Sequence, residues 1–251
     1  MTNFKHIYAR GDTHGDLRPL NQFAYEADTT RDDLLIILGD AGYNYYVTKT
    51  DRTDKYINDG ADRYWRKLSK LPLTIAIVQG NHECPAWLIE GYEQVEFGGS
   101  VTYQHPTAPN VFYLKNGEIY VLNGRTFLVM GGADSIDKTL REIPTDEKRN
   151  VKNWFPEEQM TDLEFEQAEL NLDLHDRKVD YVLTHTCPIS KQPREAFLPL
   201  SGLIPDIRQE EIFEQMYPTF EFGQWLFGHY HTDRWIDDRF RVLFDTTVGL
   251  H

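Results

Sequence analysis

The 251-residue sequence predicts an α/β fold, and three observations carry that reading. Short apolar runs bounded by Gly, Asp or Asn recur along the chain and read as buried strands. Patterns of helical spacing lie between several of them, the alternation that defines the α/β class. Length and a 40% hydrophobic fraction support a sizeable core and argue against a disordered chain.

Taken in order, strands are predicted at residues 6–9, 34–38, 73–78, 126–130, 181–183, 225–227 and 241–244. Leu17, Leu20, Phe23, Ala24 and Ala27 fall at helical spacing behind Asp16, the expected N-cap. A second helix is predicted over 61–71. A third runs over 157–175, with Pro156 preparing its start and Met160, Leu163, Gln167, Leu170 and Leu174 along one side. A short helix is expected near 208–216. Two stretches are less regular: 131–155 is polar and turn-rich, and 188–223 is rich in Pro and aromatic residues. Both follow strand ends, where α/β proteins place ligands. They are read as insertions shaping substrate access within a single domain spanning 1–251; simple cover for the sheet is the plain alternative.

Composition narrows the function. Cys84 and Cys187 are the only cysteines, so no disulfide framework is expected, and no signal peptide precedes the first strand. A cytoplasmic location follows as the default. No apolar run approaches the roughly 20 residues of a membrane helix, so no membrane partner is expected. A formal net charge of −14 disfavours extended nucleic acid as a partner. Bound cations would offset that charge at the one place where a phosphate must arrive.

Five short motifs begin where apolar strands end: Gly11-Asp12-Thr13-His14-Gly15, Gly39-Asp40, Gly80-Asn81-His82-Glu83, Thr184-His185 and Gly228-His229-Tyr230-His231. Strands sharing one sheet rim would bring all these polar groups together. Asp12 and His14 are two apart, as are His229 and His231, which puts each pair on one face of extended backbone. Carboxylate and amide oxygens suit Mn²⁺ or Mg²⁺, and imidazole suits Zn²⁺, Fe or Mn²⁺. A lone Gly-Asp is usually a turn and a lone His a solvated residue; the ordered set of five is far more specific. It predicts two divalent metal ions, a pair equipped for displacement at phosphorus.

At these motifs the chain resembles the calcineurin-like metallophosphoesterase superfamily, whose signature is Asp-x-His, Gly-Asp, Gly-Asn-His-Asp/Glu, a single His and Gly-His-x-His. The match spans residues 11–231 and fills every ligand position. The resemblance implies a four-layer sandwich of two packed mixed sheets flanked by helices. It implies that Asp12, His14, Asp40 and His231 bind one metal. Asp40, Asn81, His185 and His229 would bind the other, with Asp40 bridging. Metal-bound hydroxide would attack phosphorus, and His82 would protonate the leaving oxygen or bind the phosphate. Mn²⁺ is the expected metal, with Zn²⁺, Fe and Mg²⁺ as alternatives.

The first motif looks like the branch holding protein serine/threonine phosphatases and diadenosine tetraphosphate hydrolases. Those enzymes continue the second motif as Gly-Asp-x-Val-Asp-Arg-Gly. Here Tyr43 stands in place of the second Asp, Asn44 in place of a phosphate-gripping Arg, and Gln79 where the protein phosphatases carry another Arg. Replacement grips are Arg141, which follows a Gly-Gly turn at a strand end, Arg10 beside the first motif, and Arg194. Tyr43, Tyr45 and Tyr46 are candidates for an aromatic wall able to stack on a base or aryl group, or for apolar cover of the sheet. Cys84 and Cys187 read as buried, inert thiols. The leading expectation is a hydrolase of a small or compact phosphate ester. Behind it stand a phosphoprotein phosphatase, a nuclease disfavoured by charge, and a non-catalytic interaction scaffold.

Overall fold

The computed structural model describes residues 2–49, 55–58, 62–141, 151–193 and 205–251. Its strands are β1 (His6–Arg10), β2 (Asp33–Ile37), β3 (Val47–Lys49), β4 (Tyr56–Ile57), β5 (Thr74–Ile77), β6 (Glu93–Phe97), β7 (Ser100–Gln104), β8 (Val111–Leu114), β9 (Ile119–Leu122), β10 (Arg125–Met130), β11 (Val151–Lys152), β12 (Lys178–Thr184), β13 (Glu221–Phe227), β14 (Arg234–Trp235), β15 (Phe240–Val242) and β16 (Val248–Leu250). The helices are α1 (Arg18–Glu26), α2 (Asp62–Leu68), α3 (Lys138–Arg141), α4 (Asp162–Leu174) and α5 (Arg208–Met216).

Two mixed sheets dominate. One has the order β16-β1-β2-β5-β8-β7-β6, the other β14-β15-β13-β12-β10-β9, and β11-β3-β4 form a small third sheet. In the first, β1, β2, β5 and β8 are parallel. In the second, β10, β12, β13 and β15 are parallel. Strand alternation explains why the runs are apolar throughout. Leu34 and Ile36 of β2 enter the core between the sheets, with Phe127, Val129, Leu183 and Leu226 opposite. Leu35 and Ile37 face outward, under Leu20 of α1 and Trp65 and Leu68 of α2. Beyond the second sheet, Val182 and Trp225 pack under Phe165 and Leu172 of α4 and Phe213 of α5. The result is helix, sheet, sheet, helix, the mixed α/β sandwich expected. Each buried Leu, Ile or Phe in these layers contributes about 1.5–3 kcal/mol.

Most of the predicted strands appear within one or two residues, and α5 spans the predicted 208–216. Other expectations need correction. Leu17, not Asp16, occupies the cap position of α1. Asp16 instead accepts the Arg18 backbone N–H at 2.9 Å and grips its guanidinium. The second helix ends at Leu68, short of 71, because Pro72 disfavours helical backbone just before it; residue 61 lies outside the described residues.

The third predicted helix is split. A 3₁₀ turn covers Pro156–Glu158, and α4 starts afresh behind Thr161. Thr161 and Glu164 form a reciprocal capping box, which satisfies two amide donors at that end. The inward face is also different: Phe165, Ala168 and Leu172 are buried, whereas Leu163, Leu170 and Leu174 are 75%, 60% and 80% exposed. Packing on the second sheet takes up Phe165, Ala168 and Leu172, and the helix lies tight against a turn, where a Cβ at Gly117 would sit 2.6 Å from Glu164 O and 3.1 Å from Gln167 Cβ.

Parts of 131–155 and 188–223 are described. The first contributes α3 and β11; the second contributes α5, which packs on the second sheet. Residue Arg194 lies outside the described residues. No helix among them is long and apolar enough to cross a membrane.

Candidate metal centre

All five motifs leave the ends of parallel strands on one side of the sandwich. Asp12 follows β1, Asp40 follows β2, and Asn81 and His82 follow β5; from the second sheet, His185 follows β12 and His229 follows β13. The sheets can approach there because of two glycines. Gly39 has φ +93°, and a Cβ on it would lie 2.1 Å from His185 Nδ1. A Cβ on Gly228 would lie 2.5 Å from Asp12 Oδ1.

Two groups of ligand atoms result. Asp12, His14 and His231 form one, and Asp12, Asp40 and His185 the other. In the first, His14 Nε2 lies 2.9 Å from His231 Nε2. Asp12 Oδ2 is 3.2 Å from His231 Nε2 and 3.6 Å from His14 Nε2, yet it is buried and accepts no hydrogen bond. These three atoms, each able to offer a lone pair, converge on one point, which a cation could occupy.

In the second group, Asp40 Oδ2 is 3.7 Å from His185 Nε2. Asn81 Oδ1 is 2.9 Å from the same nitrogen. His229 stands beside His185, with ring centroids 5.0 Å apart, and its backbone N–H donates to Asp12 Oδ1 at 3.0 Å. The donor set therefore fits divalent metals: two carboxylates, one amide oxygen and four imidazoles on one rim.

The supporting contacts set ligand direction. Leu38 O accepts from His185 Nδ1 at 2.7 Å, leaving Nε2 to face Asp40 and Asn81. Asn81 Nδ2 donates to Ser135 Oγ at 2.8 Å, which turns Oδ1 into the site. His231 stacks on Phe244 at 4.7 Å. Ser135 went unnoticed in the sequence; its signal is the Gly-Gly-Ala-Asp-Ser run at the end of β10.

Electrostatics point the same way. Burial opposes ionisation of Asp40, but His185 and His82 outweigh it and hold the carboxyl well below the usual range. Burial likewise opposes charge on His185, but Asp40 and Asp12 push it up to about 9. His229 is driven well below its ordinary value by burial, then by His185, and His14 is lowered chiefly by burial. His14 and His229 are thus held neutral, the state that accepts metal, whereas His185 and His231, the latter raised chiefly by its contact with Asp12, hold protons beside the carboxylates that a bound cation would displace.

His82 is placed differently from the ligands. Its side chain is 18% exposed. Nε2 lies 3.6 Å from Asp40 Oδ2 and 3.5 Å from Arg141 Nη2, and burial, with a contribution from Arg141, lowers its proton affinity. The Arg141 guanidinium is fixed by Asp137, which accepts from Nε at 2.7 Å. Of the candidate grips, then, Arg141 reaches the site.

Arg10 and Tyr43 do not. Arg10 is 2% exposed, its Nη2 aimed at Phe244 O. Tyr43 is also 2% exposed, inside the core against Tyr64 and Trp65. Loop spacing carries no face information, and of the three tyrosines Tyr43 is the one that enters the core. Tyr45 is the one at the site: its hydroxyl meets His14 Nδ1 at 2.5 Å. Tyr46 is largely exposed. Asn44 is a core bracket, accepting from Tyr92 and Asn58 at 3.1 Å each. Cys84 and Cys187 are free and buried, and burial raises both thiols.

A carboxylate and imidazole cluster on the shared rim of two sandwiched sheets is the build of a metal-dependent hydrolase of phosphate esters. A family model described as calcineurin-like phosphoesterase matches residues 5–233, nearly the whole chain, and the chain belongs to that family. It is a phosphoric ester hydrolase. No curated protein matches the chain.

Proposed function

We propose that the chain is a dinuclear-metal hydrolase of a small or compact phosphate ester. The observation that carries the reading is the meeting of seven donors from five motifs, with His14 Nε2, His231 Nε2 and a bondless Asp12 Oδ2 crowded together. Asp12, His14 and His231 would hold one metal. Asn81, His185 and His229 would hold the other, and Asp40, which groups with Asp12 and His185, would be shared as the family signature implies. Mn²⁺ is the metal favoured by the mixed oxygen and nitrogen donors. When bound, such a pair supplies an acidified water and clamps the entering and leaving oxygens.

The chain's own groups do the rest. Asp40, with Oδ1 accepting the His82 backbone N–H at 3.0 Å, fixes the loop that presents His82. His82 Nε2 faces the space between Asp40 and Arg141, where it would pass a proton to the leaving oxygen or hold the phosphate. Arg141, tethered through Nε, would offer a terminal N–H to a phosphoryl oxygen. The net charge of −14 favours a substrate without a long polyanionic backbone. Burial of Tyr43 and Asn44 in the core weighs against a phosphoprotein phosphatase.

A hydrolysis screen of the Mn²⁺-reconstituted chain tests the reading, using aryl mono- and diesters, nucleotides, dinucleoside polyphosphates and phosphopeptides. Small esters should turn over fastest; phosphopeptides turning over much faster would reverse the order. Arg141→Ala should lower kcat/KM about 10–100-fold, the worth of one charged hydrogen bond. Unchanged kcat and KM would remove Arg141 from the site.

A further inference from the structure

Tyr45 sits on a loop that is clamped on several sides. His14 and Gly15 donate their backbone N–H groups to Asp40 O and Ala41 O at 2.9 and 2.8 Å. Thr13 Oγ1 also donates to Ala41 O at 2.9 Å. Across the site, Glu83 Oε1 accepts from the N–H groups of Gly42 and Tyr43 at 2.7 and 3.2 Å. Gly42 has φ +87°, and a Cβ there would lie 2.1 Å from Gly15 N, so the two loops touch backbone to backbone. Tyr43 plugs the same loop into the core. The point from which Tyr45 reaches is therefore fixed.

What Tyr45 reaches is the outer nitrogen of His14. Its oxygen lies 2.5 Å from Nδ1, the two rings 6.0 Å apart at 60°. The other face of the contact is His82, whose ring meets that of Tyr45 edge-on at 6.0 Å. His14 itself has φ +47°, in the left-handed region of backbone space. An imidazole that offers a lone pair at Nε2 must carry its proton on Nδ1, and that proton needs an acceptor. For His185 the acceptor is a backbone carbonyl. For His14 it is the phenol oxygen of Tyr45.

We propose that Tyr45 is a positioning residue of the centre, holding His14 in the tautomer and orientation that direct Nε2 toward Asp12 and His231. It acts through His14 and makes one metal position depend on a hydroxyl carried by the second-motif loop. The proposal rests on the metal reading above. The test is calorimetric titration of metal-free protein with Mn²⁺ for wild type, Tyr45→Phe and Tyr43→Phe, alongside thermal melting of each metal-free form. Phe at 45 keeps the ring against His82 and removes only the hydroxyl. The expected result is one of the two dissociation constants weakened about 10–100-fold in Tyr45→Phe. The second constant and the metal-free melting temperature should stay at wild-type values, and Tyr43→Phe should match wild type in both constants. Wild-type constants in Tyr45→Phe overturn the proposal alone, as does equal weakening of both sites with a lowered melting temperature. A wild-type chain that takes up no Mn²⁺ overturns it together with the metal reading.

Discussion

Asp40→Asn is expected to cost the chain at least one of its metals and to lower kcat/KM on an aryl phosphate by roughly 10³-fold or more. Asn nearly matches Asp in shape, and its one oxygen can still accept the His82 N–H that Asp40 Oδ1 accepts at 3.0 Å. The local fold should therefore survive. What the amide cannot supply is a second anionic oxygen. Asp40 Oδ2 lies 3.6 Å from His82 Nε2 and 3.7 Å from His185 Nε2, within the group of ligand atoms it forms with Asp12 and His185. Asp40 is 1% exposed, and its neighbours keep it ionised. Losing an anionic ligand would remove several kcal/mol of charge stabilisation, which sets the size of the effect. Metal content after gel filtration, with steady-state kinetics on the same sample, decides it. Two retained metals with wild-type turnover would sink the assignment of Asp40.

His82→Ala is expected to separate binding from chemistry. His82 Nε2 lies between Asp40 Oδ2 and the Arg141 guanidinium, a place for a phosphoryl group rather than one of the seven proposed donors, so metal content should match wild type. Turnover should fall about 10²–10⁴-fold, the usual worth of a placed acid. The loss should be larger for an alkyl ester than for a nitrophenyl ester, because a nitrophenolate leaves without being protonated. Equal losses on both esters would assign His82 to phosphate binding alone. Wild-type turnover on both would refute any role in the reaction.

Much of this architecture was legible because the central strands are buried on both faces. Such strands read as unbroken apolar runs, and Leu34, Leu35, Ile36 and Ile37 of β2 are each 0% exposed. The β6–β7 hairpin escaped for the opposite reason: Glu93, Gln94 and Glu96 face solvent, and the short alternating pattern is weak. On α4 two apolar stripes satisfy the helical period equally well. Only packing against the second sheet selects the one with Phe165, Ala168 and Leu172. The same division holds at the centre. Ligands at strand ends could be read because strand direction brings them to one rim. Groups in loops could not, since nothing in the order Tyr43, Asn44, Tyr45 says which side chain enters the core. Arg141 was placed by a strand-end argument and reaches His82. Arg10, chosen for adjacency in sequence, is sealed beneath Phe244.

The claim that two metals share this rim is tested most directly by anomalous diffraction from crystals of the Mn²⁺-reconstituted chain at the manganese edge. The account predicts two peaks about 3.5–4 Å apart. One should lie among Asp12, His14 and His231, the other among Asn81, His185 and His229, with Asp40 touching both. A single peak, or peaks away from these residues, would contradict it.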